Sequence, residues 1–116
     1  MSRLLGIARF RFHAGRVEEF KALSRQCMEV VQRMDTGTLR YDVFMNDDES
    51  EALVIEEYED SAALLEHLAH IGQDLSAAIL ATAAVQGELL GDLSEDFKEQ
   101  LRGGPVQPFA PFLLMT

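Results

Sequence analysis

Residues 37–68, GTLRYDVFMNDDESEALVIEEYEDSAALLEHL, form the stretch that decides the fold. Apolar and polar residues alternate over residues 39–45, which is typical of a β-strand with one buried face. Residues 46–50 are polar and predict a turn, and the apolar run over residues 53–59 predicts a second strand. The stretch therefore predicts a β-hairpin, and a helix begins directly after it.

Two further elements precede the hairpin. Residues 4–12 alternate in the same way and predict a strand. Apolar residues recur at helical spacing from about residue 16 to residue 34, which predicts a long amphipathic helix with one buried stripe. Cys27 lies on this stripe, where a small buried side chain is expected. Gly37 follows the helix, and we expect it to adopt a positive φ there.

The segment after the hairpin predicts a helix, a break and a last strand. Asp60 or Ser61 can cap the helix, and Gly72 interrupts it before the helical pattern continues. Residues 85–90 predict a fourth strand. The side chains of this helix that are expected to face the core are Leu64 or Leu65, Leu68 and Ile71.

The order of these elements is strand, helix, strand, strand, helix, strand, which is the split βαβ arrangement. The fold class is therefore expected to be α+β and ferredoxin-like, with one antiparallel sheet that carries its helices on one face. We assign residues 1–92 to this domain. Residues 93–116 are expected to form a short helix, capped by Ser94, and an apolar C-terminal tail packed on the domain or on a dimer partner.

One face of the predicted sheet has no helix to cover it. This face would expose either Leu39, Tyr41, Val43 and Met45 or the residues that alternate with them. A second subunit stacked there would bury it, and a chain of 116 residues gains from such burial because small domains hide a smaller fraction of their surface. The sequence therefore predicts a homodimer.

The charge balance excludes several classes of function. The formal net charge is -10, whereas nucleic acids and anionic membranes attract positively charged surfaces.

No stretch approaches the ~20 apolar residues of a membrane-spanning helix, and the N-terminal residues lack the long apolar region of a signal peptide. Cys27 is the single cysteine, so no internal disulfide can form. We expect a cytoplasmic protein that binds neither nucleic acid nor membranes.

The hairpin stretch resembles the antibiotic biosynthesis monooxygenase family. The resemblance lies in Gly37 and Tyr41, in the acidic turn at residues 46–49, in the strand end at residues 56–59 and in the helix sequence at residues 63–68. It implies a homodimer whose two sheets close into a dimeric α+β barrel, with a pocket in each subunit between the sheet and the helices. It also implies a cofactor-independent monooxygenase, since some members oxidise quinols or aromatic polyketides without flavin, haem or metal.

Four positions depart from the catalytic patterns of that family. Polyketide-oxidising members carry an asparagine and, four residues later, a tryptophan at the positions of Val54 and Tyr58. Their arginine falls near Ala78, and the histidine of haem-degrading relatives falls near Ala77. A non-catalytic ligand-binding or structural member of the same superfamily is therefore the alternative hypothesis. A haem-handling relative is a third, and the missing histidine argues against it.

His67 is the first predicted catalytic residue, because it can turn toward the sheet from the helix after the hairpin. Histidines change charge near neutral pH, which suits a general base or a partner for a phenolic ligand; the alternative is a buried histidine bonded to a carbonyl or an acid. Tyr58 is the second, as a phenol that orients the substrate, and the alternative is a ring that covers the pocket edge. The predicted binding residues for a small aromatic substrate are His70, Tyr41, Phe10 and Leu64.

No metal site and no cofactor are predicted. His67 and His70 share a helix face, but a metal would need a third ligand, and the nearby Glu66 and Asp74 complete no recognised spacing. The remaining acids of the hairpin end, Glu56, Glu57, Glu59 and Asp60, are expected to form a solvated face, paired with Arg40 or Arg9 across the sheet.

Overall fold

A computed structural model describes residues 3–115 of the chain. Met1 and Ser2 of the predicted domain 1–92, and Thr116 of the predicted segment 93–116, lie outside the described residues. The elements are β1 (Leu4–Phe12), α1 (Val17–Met34), β2 (Thr38–Met45), β3 (Glu51–Tyr58), α2 (Ser61–Leu80), β4 (Ala83–Leu90), α3 (Glu95–Leu101) and β5 (Val106–Phe109). This order confirms the predicted α+β, ferredoxin-like arrangement, to which α3 and β5 are added.

The sheet has the strand order β2-β3-β1-β4-β5. The first four strands are antiparallel, whereas β5 runs parallel to β4 at the edge. The sequence analysis did not predict β5, because its four residues include Pro108. A proline lacks the backbone donor of a strand residue and is therefore confined to places such as a sheet edge.

Helix α2 is capped as predicted, since the side chain of Asp60 accepts a hydrogen bond from the backbone N–H of Ala63 at 2.8 Å. Gly72 interrupts it with a φ of 80° and a ψ of 162°. The predicted core stripe is correct for Leu64 and Ile71 but wrong for Leu68, which is half-exposed. His67 is buried instead, and its imidazole packs against the rings of Tyr41 and Tyr58 on the sheet.

Gly37 differs from the expectation of a positive φ. Helix α1 ends at Met34, the following Asp35 has an extended backbone, and the positive-φ glycines of the described chain do not include Gly37. A Cβ at this glycine would lie 2.5 Å from the Cβ of Ala63. The glycine is therefore required because the chain entering β2 passes directly against α2, and this contact brings Asp35 beside that helix.

The inner face of the sheet carries the core, and its outer face has no helix on it in the described chain. Tyr41, Val43 and Met45 face inward and pack against the buried cluster of Phe10 and Phe20. The residues that alternate with them face outward. By strand pairing, the apolar members of this outer face include Phe44, Leu53, Ile7 and Ile55. None of the helices among residues 3–115 has the length and hydropathy to cross a membrane.

Candidate active site

A cavity of about 280 Å³ lies between the inner face of the sheet and the helices. Its wall is mostly apolar, and it includes Phe10 and Val54 from the sheet, Leu64, Ile71 and Ile79 from α2, and Phe97, Leu101 and Val106 from α3 and β5. The tail does not fill this space, since Phe109 is half-exposed and Phe112 is 97% exposed. An apolar cavity with few polar groups is the usual form of a small-molecule site.

The polar groups of the cavity are organised by Asp35, the residue that ends α1. Its Oδ2 lies 2.8 Å from Nδ1 of His67, and its Oδ1 lies 2.7 Å from Nδ1 of His70. The hydroxyl of Thr38 also donates to Oδ2, at 2.7 Å. The Asp35 side chain is only 1% exposed, so these hydrogen bonds replace the water that a carboxylate would otherwise bind.

Asp35 is held in its charged form. Burial alone would raise the pKa of this carboxyl, but the hydrogen bonds from His70, Thr38 and His67 outweigh it and lower the pKa below the ordinary aspartate value. An ionised carboxylate can only accept hydrogen bonds, so Nδ1 of both histidines must carry a proton and donate it. The tautomer of a neutral His67 is thereby fixed, with the lone pair on Nε2, the ring nitrogen not bound to Asp35.

Glu56 and Tyr58 lie on the same face of β3, two residues apart, and contribute the other polar groups of the cavity wall. The hydroxyl of Tyr58 donates to Oε1 of Glu56. Oε1 also lies 3.9 Å from Nε2 of His67. Burial raises the pKa of Glu56 despite the hydrogen bond from Tyr58, so that this carboxyl keeps its proton to a higher pH than an ordinary glutamate.

Two aromatic rings hold the imidazole of His67. The ring centroid of Tyr41 lies 5.5 Å from that of His67, and the centroid of Tyr58 lies 5.3 Å from it. Burial raises the pKa of both phenols far above the ordinary tyrosine value, so both are neutral hydrogen-bond donors at physiological pH. The side chain of His67 is 5% exposed. Its orientation is fixed by the two ring contacts and by the hydrogen bond with Asp35.

Five of the six predicted site residues line the cavity, namely His67, Tyr58, Tyr41, Phe10 and Leu64. His70 is not among the lining residues. Its side chain lies behind Asp35 and is 23% exposed, and its Nδ1 donates to that carboxylate. The structure therefore places His70 as a support for Asp35, outside the cavity wall.

The sequence analysis missed two residues of this site. Asp35 is the first, because nothing in the local pattern connects it to a histidine 32 residues later. Glu56 had been assigned to a solvated face, and this prediction was wrong. Its side chain shares the inner face with Val54 and Tyr58, so the strand period of two was the signal that could have identified it.

The other predictions on the hairpin acids are corrected in part. Glu57 does lie on the outer face, where it pairs with Arg3 at 3.3 Å. The predicted partners Arg40 and Arg9 bind other acids. Arg40 pairs with Asp42 at 2.6 Å, and Arg9 lies 4.0 Å from Glu51.

One group of side chains could hold a cation. Asp35, Glu66 and His70 each offer a ligand atom, and these atoms lie within 4.8 Å of one another. All three are engaged in hydrogen bonds within the protein, since Glu66 accepts from the backbone N–H and the hydroxyl of Thr36. The hydrogen-bond network thus accounts for the cluster without an ion. Ala77, at the position of the haem-ligating histidine, is exposed and offers no ligand atom.

Solved structures with the same fold include proteins of several organisms. MupZ from Pseudomonas fluorescens is 22% identical, with a TM-score of 0.82 over 98% of this chain and 93% of that one. A point mutant of SnoaB, a cofactor-independent oxygenase from Streptomyces nogalater, is 18% identical, with a TM-score of 0.64 over 80% of this chain and 93% of that one. A conserved protein from Methanosarcina mazei is 17% identical, with a TM-score of 0.67 over 77% of this chain and 91% of that one.

A comparison with curated protein sequences gave no match. The sequence model of one family does match, over residues 4–82, which is more than half of the chain. The matched segment contains β1 to α2, and with them Asp35, Glu56, Tyr58 and His67. The resemblance found in the hairpin is thereby confirmed, and the protein belongs to the antibiotic biosynthesis monooxygenase family.

Proposed function

We propose that this protein is a cofactor-independent monooxygenase acting on a small aromatic, quinol or polyketide-like substrate. The observation that carries the proposal is the pairing of buried, ionised Asp35 with His67 at the wall of an apolar cavity. Membership of the family supports it, and so does the shared fold with a cofactor-independent oxygenase.

His67 acts as the general base in this proposal. Its Nε2 accepts a proton from the substrate, and Asp35 stabilises the imidazolium that forms. The resulting electron-rich anion reduces O₂, and the apolar wall excludes water from the reactive intermediates. For a substrate with an activated CH₂ group the products are a new C=O group and water. Both oxygen atoms of O₂ are then accounted for, and no external reductant is needed.

The test is O₂ uptake by the purified, metal-free protein with a panel of quinols and anthrones. We expect uptake above the autoxidation rate, and a loss of about 10²–10⁴-fold in His67→Ala, the usual contribution of a positioned acid or base. His13→Ala is the matched control, because His13 is an exposed histidine in the turn after β1. Equal uptake by His67→Ala and the wild type would show that another group is the base.

The proposal includes a cytoplasmic homodimer. Its support is the outer face of the sheet, which carries apolar side chains from three strands that no helix of the described chain covers. A second subunit stacked on this face would remove these side chains from water.

A non-catalytic ligand-binding protein is the second candidate. The observation that favours it is the replacement of the family's asparagine and tryptophan by Val54 and Tyr58, both of which line the cavity. If no compound of the panel causes O₂ uptake but quinols or anthrones bind with saturation in a fluorescence titration, this second function is the correct one.

A further inference from the structure

The cavity wall places a base and a carboxyl group side by side. Nε2 of His67 and Oε1 of Glu56 are 3.9 Å apart, which is longer than a hydrogen bond. Both residues line the same cavity, so one ligand could contact both. The Glu56 carboxyl has no role in the proposed function as stated above.

The partners of Glu56 fix how it presents its proton. Oε1 accepts the hydrogen bond from Tyr58, so the proton of a neutral Glu56 resides on Oε2. The titratable groups that face Glu56 are Tyr58 from its own strand, Tyr41 from β2, His67 from α2 and Cys27 from α1. No lysine or arginine is among the cavity-lining residues of the described chain, and burial raises the pKa of Glu56. A neutral Glu56 thus offers Oε2–H as a donor at a mostly apolar cavity wall.

We propose that Glu56 is a catalytic residue that donates a hydrogen bond from Oε2 to the carbonyl oxygen of an enolisable aryl ketone, while His67 removes a proton from the neighbouring carbon. The site would then catalyse enolisation on its own, with or without O₂. This inference rests on the proposed function, because it uses the same cavity and the same base.

The step needs no co-reactant. The C–H bond next to the carbonyl breaks, and its proton forms an N–H bond at Nε2 of His67. The electron pair of that bond becomes the C=C bond of the enolate, and the carbonyl π electrons move to the oxygen that Glu56 binds. The Nε2–H of His67 exchanges with solvent before a proton returns to the carbon, so each cycle restores the ketone and can exchange one carbon-bound hydrogen with solvent. A neutral acid in an apolar site is an established means of stabilising such an oxyanion.

The first experiment measures hydrogen–deuterium exchange by NMR under strictly anaerobic conditions, with 1-tetralone and 1-indanone as probes, since both are aryl ketones with a CH₂ group next to the carbonyl. We expect the wild-type protein to accelerate exchange above the buffer rate, and His67→Ala to abolish this acceleration. Exchange at the buffer rate with both probes would overturn the inference. O₂ uptake with quinols would still support the proposed function in that case. Exchange without any O₂ uptake would support the inference and reject the oxygenase.

The second experiment compares Glu56→Leu and Glu56→Gln. Leu cannot donate, and we expect exchange to fall by about 10²–10³-fold, as for removal of one oxyanion donor. The amide of Gln still donates, so Glu56→Gln should stay within about tenfold of the wild type. The wild-type exchange rate should decline at high pH as Glu56 ionises, and Glu56→Gln should lack this decline. Glu57→Gln, on the opposite face of β3, is the matched control.

Two results would overturn the role of Glu56. One is a Glu56→Leu variant that exchanges as fast as the wild type. The other is a decline at high pH that persists unchanged in Glu56→Gln, and this result remains decisive even if Glu56→Leu fails to fold.

Discussion

Oδ2 of Asp35 lies 2.8 Å from Nδ1 of His67, although the two residues are 32 positions apart and both side chains are almost inaccessible to water. The first residue ends α1, and the second lies on the buried face of α2. Their contact therefore depends on how closely the two helices approach, and it orients the only histidine that lines the cavity among the described residues.

Replacement of Asp35 by asparagine should impair the activity of the protein while leaving it folded. The amide keeps the size of the carboxylate but loses the charge that stabilises an imidazolium and no longer fixes the tautomer of His67. We expect oxygenase and exchange rates to fall on the order of 10²-fold or more, since the same change in a serine protease triad costs about 10⁴-fold. Steady-state rates of Asp35→Asn, together with its circular dichroism spectrum, test this. Asp74→Asn, which changes an exposed acid of α2, should behave as the wild type.

Glu56→Gln should increase stability at neutral pH. Burial raises the pKa of Glu56, so the unfolded state releases its proton at a lower pH than the folded state does. Stability is therefore lost as pH rises above the unfolded value of about 4.3, and a glutamine is free of this loss. Thermal unfolding should give a higher Tm for the variant at pH 7 and equal Tm values near pH 3.5. A variant with the lower Tm at pH 7 would contradict the burial argument.

Gly37→Ala should destabilise the fold by steric conflict. Its new Cβ would lie 2.5 Å from the Cβ of Ala63, and one of the two chain segments would have to move. We expect a loss of about 1–3 kcal/mol in the free energy of unfolding, as for other overpacked cores. Urea denaturation measures it. The double variant Gly37→Ala, Ala63→Gly should recover most of the loss, and failure to recover would show that the backbone of Gly37 matters instead.

Charged residues on the outer face of the sheet should separate the proposed homodimer. Ile7 and Ile55 are paired across β1 and β3 on that face, so Lys at both positions would place two buried charges at the centre of the proposed interface. We expect light scattering after size exclusion to give twice the monomer mass for the wild type and the monomer mass for the double variant. Glu29→Lys, on the exposed face of α1, is the control. A wild-type protein of monomer mass would reject the dimer.

Local patterns predicted most of the fold, because strand and helix periods are properties of neighbouring residues. The hairpin and the two long helices followed from alternation and helical spacing. Strand β5 did not, since Pro108 removes a strand donor and only the edge of the sheet permits it.

The candidate site was predictable only in part. His67 and Tyr58 could be identified from their positions on the helix and the strand, and the period of the strand would have added Glu56. Asp35 could not be identified in this way. Its role depends on the close approach of the chain at Gly37 to Ala63, which is a tertiary contact.

The position of α3 and β5 has an evolutionary consequence. Phe97, Leu101 and Val106 close one side of the cavity, yet they lie after residue 82, where the family match ends. The residues proposed for proton transfer all precede that point. Substitutions after residue 82 could therefore change the size and shape of the accommodated ligand while the acid–base groups stay unchanged. Family members that differ mainly in these segments would then share the acid–base groups and differ in the ligand that the cavity accommodates.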